Sequence, residues 1–154
     1  MPWLRSRAVA LKTGQCLCGA VSFRGDVDET AQACHCTQCQ RWTGGGPLFA
    51  VRVRDLELTG EDHIRTYNHS DWGDRAVCET CGSTLYWKLT GRSVAFVALG
   101  LVDDQSDVTI TEEIFVDYRP AWLSPFEGAT QRTEAEMKAQ LAAFLEKEKR
   151  HDQV

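Results

Sequence analysis

The sequence predicts a mainly β domain closed by one C-terminal α-helix and tied together by clustered cysteines. From Gly19 to Tyr118 the chain reads as short apolar runs broken by Gly, Asp and Asn, with no convincing helix period. A helical period appears only after Gln131-Arg132. Seven cysteines in 154 residues fall into tight groups. That length suits one domain with a sizeable core. Hydrophobic residues at 43% and charged residues at 25% are those of an ordinary globular protein and exclude a disordered or fibrous chain. With a net charge of −5 and no Lys/Arg cluster beyond a pair outside the last helix, no phosphate-backbone footprint is present, and nucleic acid is not an expected partner.

Residues 1–13 are read as an N-terminal extension. They carry Arg5, Arg7 and Lys12 without the apolar run and small-residue cleavage site of a secretory signal, so the expected location is cytoplasmic. Residues 14–130 form the predicted β domain. Its candidate strands are Ala20–Arg24, Leu48–Val53, Leu56–Thr59, Ile64–Asn68, Thr84–Leu89, Val94–Leu101 and Glu113–Asp117, several alternating apolar and polar residues. Gly-containing turn signals separate some of them: Arg24-Gly25-Asp26, Thr59-Gly60-Glu61, Trp72-Gly73-Asp74 and Thr90-Gly91-Arg92. Val94–Leu101 is the longest apolar stretch and too short to cross a bilayer, so no membrane partner is expected. Residues 131–154 hold the predicted helix, with Thr133 as N-cap, Glu136 completing a capping box, and an end near Lys149. Met137, Leu141, Phe144 and Leu145 share one face, and that stripe is expected to pack on the domain.

In a reducing compartment, clustered cysteines point to metal ligation or catalysis before disulfides, and an odd number points the same way. The groups are Cys16-x-Cys18-Gly19, Cys34-His35-Cys36-x-x-Cys39 and Cys78-x-x-Cys81-Gly82. Alternate residues of an extended segment share a face, so Cys16 with Cys18, and Cys34 with Cys36, can each present two thiolates to one ion. Cys78-x-x-Cys81 has the knuckle spacing of zinc ribbons. Gly19 and Gly82 allow the positive φ that such turns require. The favoured partition joins Cys16, Cys18, Cys78 and Cys81 in a closed structural Zn²⁺ site and leaves Cys34, Cys36 and Cys39 as an open site. A competing partition joins Cys16, Cys18, Cys34 and Cys36, with Cys39 added to the knuckle. A three-thiolate site keeps a fourth position for water, a thiol or a carbonyl oxygen, the arrangement of catalytic zinc, although a second structural site fits the same spacing.

The pattern Cys16-x-Cys18-Gly19-x-Val21-x-Phe23, Cys34-His35-Cys36-x-x-Cys39 and Gly73-x-Arg75-x-x-Cys78-x-x-Cys81-Gly82-Ser83-x-Leu85, with a late Phe115-Val116-x-x-x-x-Pro120-x-Trp122, resembles the family of glutathione-dependent formaldehyde-activating enzyme and centromere protein V. The resemblance spans about residues 14 to 123. It implies an Mss4-like fold of stacked antiparallel β-sheets with zinc-binding knuckles. Under it, Cys16, Cys18, Cys78 and Cys81 match structural zinc ligands, and Cys34, Cys36 and Cys39 match the ligands of a catalytic zinc. The implied activity is that of a zinc-dependent carbon–sulfur lyase acting on a small thiol adduct of an aldehyde, with glutathione as a possible co-substrate. The alternative is a non-enzymatic zinc-stabilised module that binds a protein partner. The sequence departs from the family pattern at Glu112-Glu113-Ile114-Phe115, a place often led by His, and in the Gly44-Gly45-Gly46 run, read as a surface turn.

Flanked by two candidate ligands, His35 points to the opposite face of an extended segment, so it is read as a hydrogen-bonded structural residue. Arg41 and Arg75 are read as receptors for a substrate carboxylate or as counter-charges to a thiolate centre.

Overall fold

The computed structural model describes residues 9–151. Its strands are β1 (Val9–Gln15), β2 (Ser22–Cys34), β3 (Leu48–Thr59), β4 (Ile64–Ser70), β5 (Gly73–Cys78), β6 (Thr84–Leu89), β7 (Ala95–Ala98), β8 (Thr109–Ile114) and β9 (Thr130–Arg132); its helices are α1 (Thr37–Thr43) and α2 (Glu134–His151). The nine strands form one hydrogen-bonded network in the order β4-β5-β6-β7-β3-β2-β8-β9, with β1 also on β2.

The long strand β2 organises the rest. One edge pairs with β3. The other is shared: β1 covers Ser22–Asp28, and β8 covers Thr30–Cys34. β2 therefore carries the chain from the end where Cys16 lies to Cys34 at the other. Pairing is antiparallel except that β2–β8 and β8–β9 are parallel, so the sheet is mixed where antiparallel strands alone were expected. A parallel pair needs a long crossover, and residues 115–129 supply one between β8 and β9.

Several boundaries differ from the sequence reading. Residues 9–13, read as part of an N-terminal extension, lie in β1, where they pair with Arg24–Asp28 of β2. The expected turn at Arg24-Gly25-Asp26 is a bulge inside β2, where the register against β3 shifts. Facing it, Asp55 has φ 51°, and β3 continues through the break expected between Val53 and Leu56. Helix α1 was not expected at all, being shorter than any periodic signal can show.

The main core is aliphatic and lies along the central strands, with Val27, Val51, Val53, Leu85 and Val97 almost wholly buried beside Cys16 and Cys78. A smaller core gathers Leu48, Ala50 and Ile114 around Cys34 and Cys39. Each cysteine group thus sits on its own patch of apolar packing.

Helix α2 has its expected capping box: the Thr133 N–H donates to Glu136 Oε2 at 2.9 Å, and the Glu136 N–H donates to Thr133 Oγ1 at 3.3 Å. Its packing differs from expectation. None of its residues is buried; Met137 rests on the smaller core, whereas Phe144 and Leu145 face solvent. The second half of the helix meets the β domain through the Glu148–Arg92 ion pair, and its apolar residues Phe144 and Leu145 stay uncovered. No helix among the described residues is long and apolar enough to cross a membrane.

Candidate metal centres

All seven cysteines are free, and their sulfurs converge in two places. Cys16, Cys18, Cys78 and Cys81 form one group and Cys34, Cys36 and Cys39 the other, with all sulfurs of a group within 4.8 Å of one another. This is the favoured grouping of the sequence reading, and the competing one is not formed.

The first centre joins two matching knuckles. In each, the glycine N–H closes the turn onto a cysteine carbonyl: Gly19 to Cys16 O at 3.1 Å and Gly82 to Cys78 O at 2.8 Å. Each returning chain then accepts from the first cysteine, Cys16 N–H to Val21 O and Cys78 N–H to Ser83 O, both at 2.9 Å. Gly19 and Gly82 have φ of 79° and 78°, a left-handed conformation that a Cβ would strain. A tetrahedral zinc with four Zn–S bonds of about 2.3 Å separates its sulfurs by about 3.8 Å. Cys16 Sγ to Cys18 Sγ is 3.7 Å and Cys18 Sγ to Cys78 Sγ is 3.9 Å, so the donor set fits that ion. Cys81 accepts from the Ser83 hydroxyl at 3.1 Å, which holds its thiol down at about 5.

The second centre forms where strand becomes helix. β2 ends at Cys34, Cys36 is the N-cap of α1, and Cys39 is the one buried residue of α1. The Cys39 N–H donates to Cys36 Sγ at 3.3 Å, a capping bond in which sulfur replaces the usual oxygen. Contacts with the Cys34 and Cys39 thiols, the Cys39 N–H and the charge of Arg75 pull the Cys36 thiol down to about 3. Cys34 is driven up by the sulfurs of Cys36 and Cys39 and by burial. For Cys39 the contact with Cys34 favours the thiolate, but Cys36 and burial outweigh it and push the thiol up to about 12. One thiolate is tolerated and three are not unless a cation joins them, the behaviour expected of a soft metal's donor set. Three sulfurs leave a tetrahedral ion one further position, and Cys36, unlike Cys34 and Cys39, is partly exposed.

Around this centre the structure places the other candidate residues unequally. His35 is fully buried, with Nε2 2.8 Å from Glu113 Oε1 and its own N–H on Ile114 O, in the structural role expected. Arg75, from β5, packs against α1, its Nη2 donating to Gln38 Oε1 at 2.9 Å and its guanidinium 5.5 Å from the Trp42 ring centroid. Arg41 is exposed. Gly44, Gly45 and Gly46 form the surface turn expected of them, with Gly44 as the C-cap of α1.

Sequence reasoning missed the role of Glu113. Its carboxylate, fully buried, accepts from Arg119 Nη1 at 3.2 Å, the Phe126 N–H at 2.8 Å and Gln131 Nε2, besides contacting His35. Burial alone would raise this carboxyl, but the donors win and hold it below its usual value. Glu113 thereby fastens the 115–129 crossover and the start of β9 beneath the second centre. The only sequence signal was its departure from the family pattern. Tyr118, on that crossover, donates its hydroxyl to Glu134 of α2, and both groups feel the charge of Cys36.

Three comparisons place this geometry among known proteins. The family model described as glutathione-dependent formaldehyde-activating enzyme matches residues 11–118. An uncharacterized lyase of Schizosaccharomyces pombe is 25% identical over 109 residues, which is 70% of this chain and 80% of that protein. The crystal structure of a Rhodobacter sphaeroides protein superposes with a TM-score of 0.51 at 19% identity, covering 79% of this chain and 99% of that one, and shows the same fold. With more than half its length matched, including all seven cysteines, the chain belongs to the glutathione-dependent formaldehyde-activating enzyme family.

Proposed function

We propose that the protein is a zinc-dependent carbon–sulfur lyase that makes or breaks the bond between a small thiol, such as glutathione, and an aldehyde carbon. The observation that carries this reading is the second centre: three sulfurs lie within 4.8 Å of one another, no fourth Cys, His or carboxylate joins them among the described residues, and the most exposed of the three, Cys36, interacts electrostatically with Arg75, Tyr118 and Glu134. Family membership and the lyase name of the yeast relative support the reaction class.

In this reading Cys16, Cys18, Cys78 and Cys81 hold a structural Zn²⁺, and Cys34, Cys36 and Cys39 hold the catalytic one. Zinc at such a site supplies Lewis acidity, which favours a bound thiolate or polarises a carbonyl. The addition itself is balanced: the thiol loses its proton, sulfur bonds to the carbonyl carbon, and the carbonyl oxygen gains a proton to give the hydroxyalkyl thioether. Cleavage is the reverse. The chain's own part is to hold three sulfurs in one place through the β2–α1 junction, to shield them on the inner side with Leu48, Ala50 and Ile114, and to leave the Cys36 side open. Free cysteines and the acidic charge balance suit a reducing, cytoplasmic setting with a small thiol as partner and neither nucleic acid nor membrane. A second reading, a zinc module that binds a protein, draws on the uncovered Phe144–Leu145 face of α2.

The test is the zinc content of freshly purified protein with and without Cys36→Ser, followed by titration with glutathione. Two zincs falling to one in the variant, with glutathione heat or spectral change only in the parent, is the expected result. One zinc in both proteins and no response to glutathione would sink the enzyme reading and favour the protein-binding one.

A further inference from the structure

Arg75 is 7% exposed, and a buried guanidinium is costly unless its charge and its five N–H groups are matched. The match is incomplete. Nη2 donates to the Gln38 carboxamide and the plane lies against Trp42, but Nε is buried without a hydrogen-bond partner. No carboxylate forms a salt bridge with Arg75 among the described residues.

The placement of this cation is specific. Gln38 and Trp42 are four residues apart on α1, so they share the face that Arg75 crosses from β5. Gln38 lies between Cys36 and Cys39 in sequence, and Trp42 packs on the small core around Cys34 and Cys39. Arg75 is thus held alongside the second centre by two residues of the helix that carries it. One of these, Gln38, is exposed. Its amide oxygen is a neutral acceptor on a charged donor, and the exposed side chain borders solvent. A carboxylate in its place would form a charge-assisted, bidentate pair, roughly twice as strong as the neutral contact and suited to the planar fork of arginine. Glu134, which accepts from the Tyr118 hydroxyl and feels the charge of Cys36, is acidic and would not receive an anion.

Building on the thiol-adduct reading, we propose that Arg75, uncovered when Gln38 moves aside, is the residue beside the second centre that receives a carboxylate of the bound thiol and so sets its specificity. Gln38 is the displaceable cover and Trp42 the platform that keeps the guanidinium in plane.

The experiment compares two thiols of nearly identical shape, N-acetylcysteine and its amide, by calorimetric titration of the zinc-loaded protein. The parent should bind the carboxylate form about tenfold or more tighter, the range expected for one charge-assisted contact. Arg75→Gln should remove that preference, bringing the ratio of the two affinities to about one, whereas Gln38→Ala should increase the ratio. Equal binding of the two thiols by the parent would overturn this role. So would an Arg75→Gln variant that loses affinity for both thiols alike, because Arg75 would then only offset thiolate charge. If Arg75→Gln does not fold, the parent and Gln38→Ala still decide the matter, and an unchanged ratio in Gln38→Ala overturns the proposal. Absence of binding by either thiol would instead defeat the thiol-site reading on which the proposal rests.

Discussion

The two cysteine centres are built from similar pieces and differ in what closes them. The first draws its sulfurs from two turns far apart in sequence, and each turn is finished by a left-handed glycine and a pair of backbone hydrogen bonds. Four sulfurs saturate a tetrahedral ion, so such a centre adds only stability. The second takes all its sulfurs from a six-residue span, Cys34 to Cys39, and needs the local switch from strand to helix to converge them. It lacks a fourth sulfur and is held from behind by Glu113 and His35. A metal bound across distant segments would act as a staple, whereas one bound by three sulfurs of a single short span would keep one coordination position free.

That contrast breaks most sharply at Cys78. Structural zinc contributes apparent free energies of about 10–16 kcal/mol in small zinc modules, comparable with or larger than the whole stability of a domain. Cys78→Ser should therefore unfold or precipitate the protein, and circular dichroism with a normal melting temperature would refute a structural role for the first centre. The next largest effect falls at Glu113. Removing a buried carboxylate that satisfies several donors costs about 3–5 kcal/mol, so Glu113→Ala should lower the denaturation midpoint strongly and loosen the 115–129 crossover in hydrogen exchange. The pH dependence has a definite sign: the folded carboxyl is held below its ordinary value, so its contribution is present above that ordinary value and is lost as pH falls through the folded one. Acid unfolding of Glu113→Gln should accordingly be flatter than that of the parent below about pH 4. A parallel pair of curves would show that the donors are not matched to charge.

Smaller again is the turn itself. Gly82→Ala puts a side chain at φ 78° with open space around it, so the cost is conformational, about 1–2 kcal/mol, and chemical denaturation should show it without loss of zinc. Smallest for the fold is Cys36→Ser, which should shift the melting temperature little while emptying the second centre. Unfolding of that variant would make the two centres alike and erase the comparison.

Much of the fold and of the sulfur grouping was legible because spacing is a local property. Cys-x-Cys and Cys-x-x-Cys each limit where two sulfurs can point, the following glycines mark the turns, and Thr133 with Glu136 marks the helix start; all of these are present as expected. Strand β6 could be read to the residue because its turns flank it closely. Helix α1 could not, since seven residues give no measurable period and its cap is a cysteine, outside the usual capping set.

By itself, then, the sequence determined a mainly β chain, a C-terminal helix with its cap, and two sets of sulfurs. Only the tertiary structure decided that β1 and β8 share one edge of β2, that Glu113 meets His35, and that Arg75 rather than Arg41 stands beside the second centre. The physical reason is reach. Spacing constrains side chains a few residues apart through backbone geometry, whereas the partners of a buried charge are chosen by burial and hydrogen bonding between segments that sequence places as much as 78 residues apart.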